Sequence, residues 1–204
     1  MSGYACFSTN YRLAPDVRFP AMVEDIASVA QFIVEHGENR FRCDPQKLAV
    51  MGSSAGGHLA ALVGLVPEKF GYQQTENVRR PFCAVSCVAA PMDFRIGQSY
   101  AQKPDDPIAA TLFGKPLKEA PELAEFASPI SHIHAGAPPF SFQHYKDDPQ
   151  VDAKFSMRMH EALQTAGVHS ELNLYDGDTH RVYDPLRPFM VTHVAVFTQS
   201  SQEL

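Results

Sequence analysis

The chain has 204 residues, enough for one domain with a sizeable buried core. Its hydrophobic share of 45% and charged share of 20% are those of a globular chain and exclude a disordered or fibrous one. The net charge of −6 argues against a nucleic-acid or anionic-membrane partner, and no apolar run reaches the length of a transmembrane helix.

Gly3 to Thr9 mixes β-branched, aromatic and small apolar residues and predicts a strand. Asn10 to Arg18 reads as a loop holding Tyr11-Arg12-Leu13-Ala14-Pro15. Met22, Ile26, Val29, Ala30 and Ile33 then recur at helical spacing, which predicts an amphipathic helix over Ala21–His36 with Gly37 as its stop. After a turn at Asp44-Pro45, the apolar run Leu48 to Met51 reads as a buried strand. It meets Gly52-Ser53-Ser54-Ala55-Gly56 directly, and a second apolar run follows as a helix ending before Pro67.

That strand, sharp turn and helix carry the pattern G-x-S-x-G. A serine at the tip of such a turn takes strained backbone angles, so its neighbours must be small enough for strand and helix to approach. Gly52 and Gly56 are expected to supply the room. Ser54 Oγ would then project beyond the sheet as a nucleophile. The Ala55 N–H, at the helix start, would face the same space as an oxyanion donor.

Lys69 to Arg80 is polar and predicts a loop, and Phe82 to Ala90 a second buried strand stopped by Pro91. Residues 92–137 lack a strong period and predict a loop-and-short-helix excursion, with Pro121–Ala127 as one helical piece. Pro138-Pro139 introduces a strand at Phe140–Tyr145. Val151, Phe155, Met159, Ala162, Leu163 and Ala166 mark a helix closed by Gly167, and Ser170–Tyr175 alternates as a strand. A last helix carries Phe189, Met190, Val194 and Phe197. Strands alternating with one-sided helices indicate an α/β fold: one domain over residues 1–204, a mostly parallel sheet with helices on both faces. The site is expected in the loops after the strands.

The four cysteines form no C-x-x-C pair. Cys6 and Cys87 fall inside predicted strands, Cys83 leads into the second of these, and Cys43 lies in a loop, so reduced structural thiols are expected.

A serine hydroxyl needs a histidine to take its proton, and that histidine an acid to hold its tautomer. Of nine histidines, His180 follows the last predicted strand directly and is the expected base. His58, four residues after Ser54 on the same helix, is expected to be structural. For the acid, Asp148 lies just past the strand Phe140–Tyr145, with Asp147 beside it and Asp93 after the preceding strand as rivals. Asp148 is the expected acid; the chain order Ser, acid, His known for such elbows admits it and both rivals. His132-x-His134 offers two metal-ligand residues but no third at a usable spacing, so neither a metal nor a cofactor is expected.

Tyr11-Arg-Leu-Ala-Pro15, Phe19-Pro20, Glu24-Asp25, Asp44-Pro45 and Gly52-Ser-Ser-Ala-Gly-Gly-His-Leu-Ala60 resemble alpha/beta-hydrolase esterases. The resemblance is to the hormone-sensitive-lipase-like carboxylesterases and bacterial acetyl-xylan-esterase-like enzymes. Pro138-Pro-Phe140, Asp148-Pro-x-Val151, Ala166-Gly-Val168 and Tyr175-x-Gly-x-x-His180 extend it over most of the chain. It implies hydrolysis of short-chain carboxylic esters through an acyl-enzyme, with Asp148 as acid and His180 as base. Two departures are His144-Tyr145 where the family has His-Gly, and Arg181-Val182 where it has Gly-Phe.

The resemblance also implies a His-Gly-Gly loop and its strand ahead of Tyr4, lying between the Tyr4–Thr9 strand and the elbow strand. The chain is therefore expected to be N-terminally incomplete, with Ala55 as its single identifiable oxyanion donor and open strand edges; a second copy completing the sheet, or direct pairing of Tyr4–Thr9 with Leu48–Met51, are the alternatives. The start of the chain shows no basic-then-apolar leader, but an upstream segment would leave the compartment open. The alternative expectation is a catalytically impaired fragment or an interaction subunit of an alpha/beta-hydrolase.

Overall fold

The computed structural model describes residues 5–95 and 107–180, and the side chains of residues 107–109 lie outside that description. Four strands, β1 (Leu48–Ser53), β2 (Phe82–Val88), β3 (Phe140–Tyr145) and β4 (Ser170–Tyr175), form a parallel sheet in the order β1-β2-β3-β4. Parallel neighbours need long crossovers. The helix α1 (Ala21–Phe41) precedes β1, and α2 (Ala55–Leu65) joins β1 to β2. The helices α3 (Pro107–Phe113) and α4 (Pro121–Phe126) lie between β2 and β3, and α5 (Lys154–Thr165) joins β3 to β4. Residues 96–106 of the excursion and the helix expected around Phe189 lie outside the described residues.

The register sets where the site must be. Ser53 pairs with Val88, Val88 with Gln143 and Tyr145 with Tyr175, so β3 and β4 end two residues beyond β1 and β2 and the following loops share one edge of the sheet. Every residue of β3 is buried, as expected for a central parallel strand covered on both faces. Its Phe140 and Phe142 rings stack 5.7 Å apart in the core with Phe155, Met159 and Leu163 of α5. Apart from His58, the helix α2 is apolar all round, and it is buried from Gly57 to Leu65, so it runs through the interior. A Cβ on Gly64 would lie 2.4 Å from Val85 Cγ2, which shows how closely α2 sits on β2.

Two expectations are corrected here. The first helix passes through Gly37 and ends at Phe41, capped by Arg42 at φ 55°. Gly37 serves packing instead: a Cβ there would approach Ile33 Cγ2 to 3.2 Å, and the buried stripe from Met22 to Gly37 continues unbroken in period. Residues 5–9 form no strand, although Gly3–Thr9 reads as one; Gly3 and Tyr4 lie outside the described residues. The side chains of residues 5–9 line a cavity of about 380 Å³ against β1 and α1, and among the described residues they have no ladder partner. A strand needs a paired neighbour, and local β propensity alone does not supply one. Two smaller differences follow from local geometry. β2 ends at Val88 because Ala89 turns to φ 48°, and α5 starts at Lys154.

His58 is buried on α2, and its Nε2–H donates to the Ala127 carbonyl at 2.7 Å. Its ring meets Phe94 edge-on, with centroids 5.0 Å apart. Desolvation pushes its pKa down to about 4. The unfolded chain therefore binds this proton first as pH falls. The stability that neutral His58 contributes is complete above pH 6.5 and is lost between there and about 4, roughly 3 kcal/mol in all. His58→Gln keeps an N–H for Ala127 without titrating, so its melting temperature is expected to fall less steeply over that window. Parallel slopes for the two proteins would refute this.

Candidate active site

The elbow follows from its glycines. A Cβ on Gly52 would sit 2.1 Å from the Gly56 carbonyl oxygen, a collision that no side-chain movement relieves. Gly56 itself has open space where a Cβ would go, whereas one on Gly57 would lie 2.7 Å from Ala90 Cβ. The close approach of strand and helix thus rests on Gly52 and Gly57, a correction to the expected Gly52 and Gly56. The elbow helix meets the chain leaving β2 one residue later than the pentapeptide pattern suggests.

Ser54 occupies the tip at φ 53°, ψ −121°, a conformation that L residues adopt only under constraint. Two backbone bonds hold it there: Ser54 N–H donates to the Val88 carbonyl at 2.7 Å, and His58 N–H to the Ser54 carbonyl at 3.1 Å. Ala55 is the first residue of α2, where a backbone N–H has no acceptor within the helix. It lines a largely apolar cavity of about 470 Å³ together with Tyr11, Phe19, Met22, Leu59 and Leu112.

The loops after β3 and β4 bring two more residues to Ser54. His180 Nε2 lies 2.9 Å from Ser54 Oγ, and His180 Nδ1 lies 2.7 Å from Asp148 Oδ2. An ionised carboxylate only accepts, so Nδ1 carries the hydrogen and Nε2 presents its lone pair to the Ser54 hydroxyl. The Asp148 carboxylate is fully buried, and its other oxygen accepts from the N–H groups of Gln150 at 2.9 Å and Val151 at 3.1 Å. The His180 side chain keeps 14% exposure.

The rivals stand elsewhere. Asp147 is exposed, and its backbone N–H donates to the Gly177 carbonyl at 3.1 Å. Asp93 is buried and held by Arg95 through two bonds of 2.8 Å. His132 donates to the Phe126 carbonyl at 2.8 Å, and His134 Nδ1 accepts from Gly136 N–H at 3.1 Å. Among the described residues no three His, Cys, Asp or Glu side chains gather as a metal would require. No disulfide joins the four cysteines, all of which lie among the described residues; Cys87 is buried, and burial raises its thiol pKa.

Tyr145 fits beside the acid loop because Gly177 has no side chain. A Cβ on Gly177, at φ 144°, would lie 2.9 Å from the Tyr145 ring. Lys146 N–H and Asp147 N–H then tie the loop to the carbonyls of Tyr175 and Gly177.

The family model named BD-FAE matches residues 1–163. The chain belongs to the BD-FAE family. The BD-FAE chain is 28% identical to Esterase LipQ of Mycobacterium tuberculosis over 187 residues, 89% of this chain and 43% of that protein. It is 30% identical to Esterase LipC of the same organism over 166 residues, 79% of this chain and 41% of that protein. It thus spans less than half the length of these curated relatives. A solved truncated carbohydrate esterase from gut microbiota superposes with a TM-score of 0.78 at 20% identity, over 93% of this chain and 72% of that one. The fold is of the alpha/beta-hydrolase type. Among the described residues no helix is long and apolar enough to cross a membrane.

Proposed function

We propose that this BD-FAE protein hydrolyses short-chain carboxylic esters through an acyl-enzyme intermediate formed on Ser54. The observation that carries the reading is the unbroken hydrogen-bonded line from Ser54 Oγ through His180 to Asp148. In the first half-reaction Ser54 Oγ attacks the ester carbonyl carbon as its proton passes to His180 Nε2. The carbonyl π electrons move onto oxygen, and the oxyanion accepts from the Ala55 N–H. When the tetrahedral intermediate collapses, the alkoxide leaves with the proton from Nε2, and the acyl group stays on Ser54. Water, deprotonated by the same nitrogen, then repeats the sequence and releases the acid. Asp148 keeps its charge throughout and stabilises the imidazolium that forms beside it.

The cavity bordering Ala55 supports an acyl group of modest size. Its volume of about 470 Å³ lies toward the lower end for small-molecule sites, about 300–1,000 Å³, and its walls are mainly apolar. The relatives LipQ and LipC are both named esterases, which agrees with the reaction class.

The test uses p-nitrophenyl esters of increasing acyl length on the full chain. A stoichiometric burst of p-nitrophenolate followed by slower turnover is expected, with turnover greatest for acetate to butyrate and falling for longer chains. No burst and no turnover with any ester would favour the catalytically silent alternative, and a preference for long acyl chains would contradict the short-chain reading.

A further inference from the structure

We propose that His144 is a positioning residue: it pins the Asp148 carboxylate to the fold through a single ring tautomer, which the Val151 carbonyl and the Asp148 carboxylate select and the Ser156 hydroxyl complements. The inference deepens the reading above and rests on Asp148 being the acid. Asp148 sits in a loop between β3 and α5, and the nearest backbone bond of its own N–H, to the Tyr145 carbonyl, is long at 3.4 Å. Something more rigid must hold its carboxylate.

His144 lies on β3 with no exposed surface. Its Nε2 is 2.9 Å from the Val151 carbonyl oxygen and 3.4 Å from Asp148 Oδ2. Its Nδ1 is 2.7 Å from Ser156 Oγ on α5, also fully buried. Both neighbours of Nε2 are oxygens without hydrogen, so Nε2 must bear the N–H. Nδ1 is then an acceptor, and the Ser156 hydroxyl donates to it. The opposite tautomer would set a lone pair against a carbonyl and a carboxylate in a dry interior, a costly arrangement. Burial lowers the His144 pKa and so favours the neutral ring, against the nearby charges of Asp148 and Asp152.

The consequence runs through one residue. Val151 N–H donates to Asp148 Oδ1 while the Val151 carbonyl accepts from His144. Strand β3 and helix α5 thereby grip the loop from both sides, and the second carboxylate oxygen stays turned to His180.

Two measurements on the full chain test this. In a histidine-¹⁵N-labelled sample, one-bond and long-range correlations are expected to show His144 protonated at Nε2; protonation at Nδ1 would overturn the proposal. Turnover per active site, titrated with a fluorophosphonate, is expected to fall about 10- to 100-fold in His144→Leu, as for other losses of alignment remote from the chemistry, with KM unchanged. His144→Gln, whose side-chain N–H replaces the Nε2 donor, is expected to recover the wild-type rate, and Ser156→Ala to fall between the two. If His144→Leu fails to fold, the tautomer and the Gln and Ala variants decide. A fully active His144→Leu, or a His144→Gln that folds but is as slow as Leu, would refute a donor role. Failure of the acid assignment looks different: Asp148→Asn would then retain full turnover.

Discussion

Replacing Ser54 by alanine is expected to lower ester turnover about 10⁶-fold while leaving the fold intact. The magnitude follows from what is removed. Without Oγ no acyl-enzyme forms, and His180 is left to activate water across a gap shaped for a serine. Residual rate would come from oxyanion stabilisation and binding alone. The fold should tolerate the change because the backbone bonds at the elbow, Ser54 N–H to Val88 and His58 N–H to Ser54, do not involve the hydroxyl. Alanine meets the same strain at φ 53° that serine does. The check is steady-state turnover alongside circular dichroism. Ser53→Ala serves as control, since Ser53 is exposed at the end of β1 and outside the hydrogen-bonded line. A Ser54→Ala protein within tenfold of wild type would remove the nucleophile from the account.

Asp148→Asn is expected to cost about 10⁴-fold in kcat with little loss of folded protein. The surroundings choose which end of the amide faces His180. Asp148 Oδ1 accepts from the Gln150 and Val151 N–H groups, so an asparagine would leave its carbonyl oxygen there. Its NH₂ would then point at His180 Nδ1. That nitrogen would have to accept, the hydrogen would move to Nε2, and Nε2 could no longer take the Ser54 proton. The His144 N–H would meet a donor in place of an acceptor, adding a smaller penalty. Turnover measured at matched folded fraction checks this. Asp147→Asn should behave as wild type, because that carboxylate faces solvent. Equal losses at the two positions would undo the assignment.

Much of this arrangement is written locally in the sequence. Leu48 to Val63 announces strand, turn and helix because its apolar runs and glycines have no other economical conformation. Period and punctuation likewise give β2, β3, β4 and α5 to within a few residues. His180 stands out for following the last strand directly. What is not legible depends on partners distant in the chain. Gly57 rather than Gly56 bears the close contact because Ala90, on another strand's exit, lies against it. The choice between Asp147 and Asp148 turns on a one-residue rotation of the loop, set by bonds to Tyr175, Gly177 and Val151. The continuation of α1 through Gly37 depends on Ile33 and on the left-handed Arg42. His144 gave one signal, a buried strand position carrying a polar ring four residues before Asp148, but its two partners are set only when α5 folds back.

Residues 5–9 show the same lesson in the opposite sense. Their composition favours a strand, yet pairing is a property of two segments, and along this stretch the neighbouring space is a cavity. That cavity and the one at Ala55 share Tyr11 and Leu59 in their walls.

The most direct test is chemical identification of the intermediate. The protein is mixed with p-nitrophenyl acetate, quenched in acid during the steady state, digested and mapped by mass spectrometry. The expected result is an acetyl group on the peptide carrying Ser54, localised to that residue and absent from the Ser54→Ala protein. Turnover with no acetyl on Ser54, or with the acetyl on a different residue, would contradict the account.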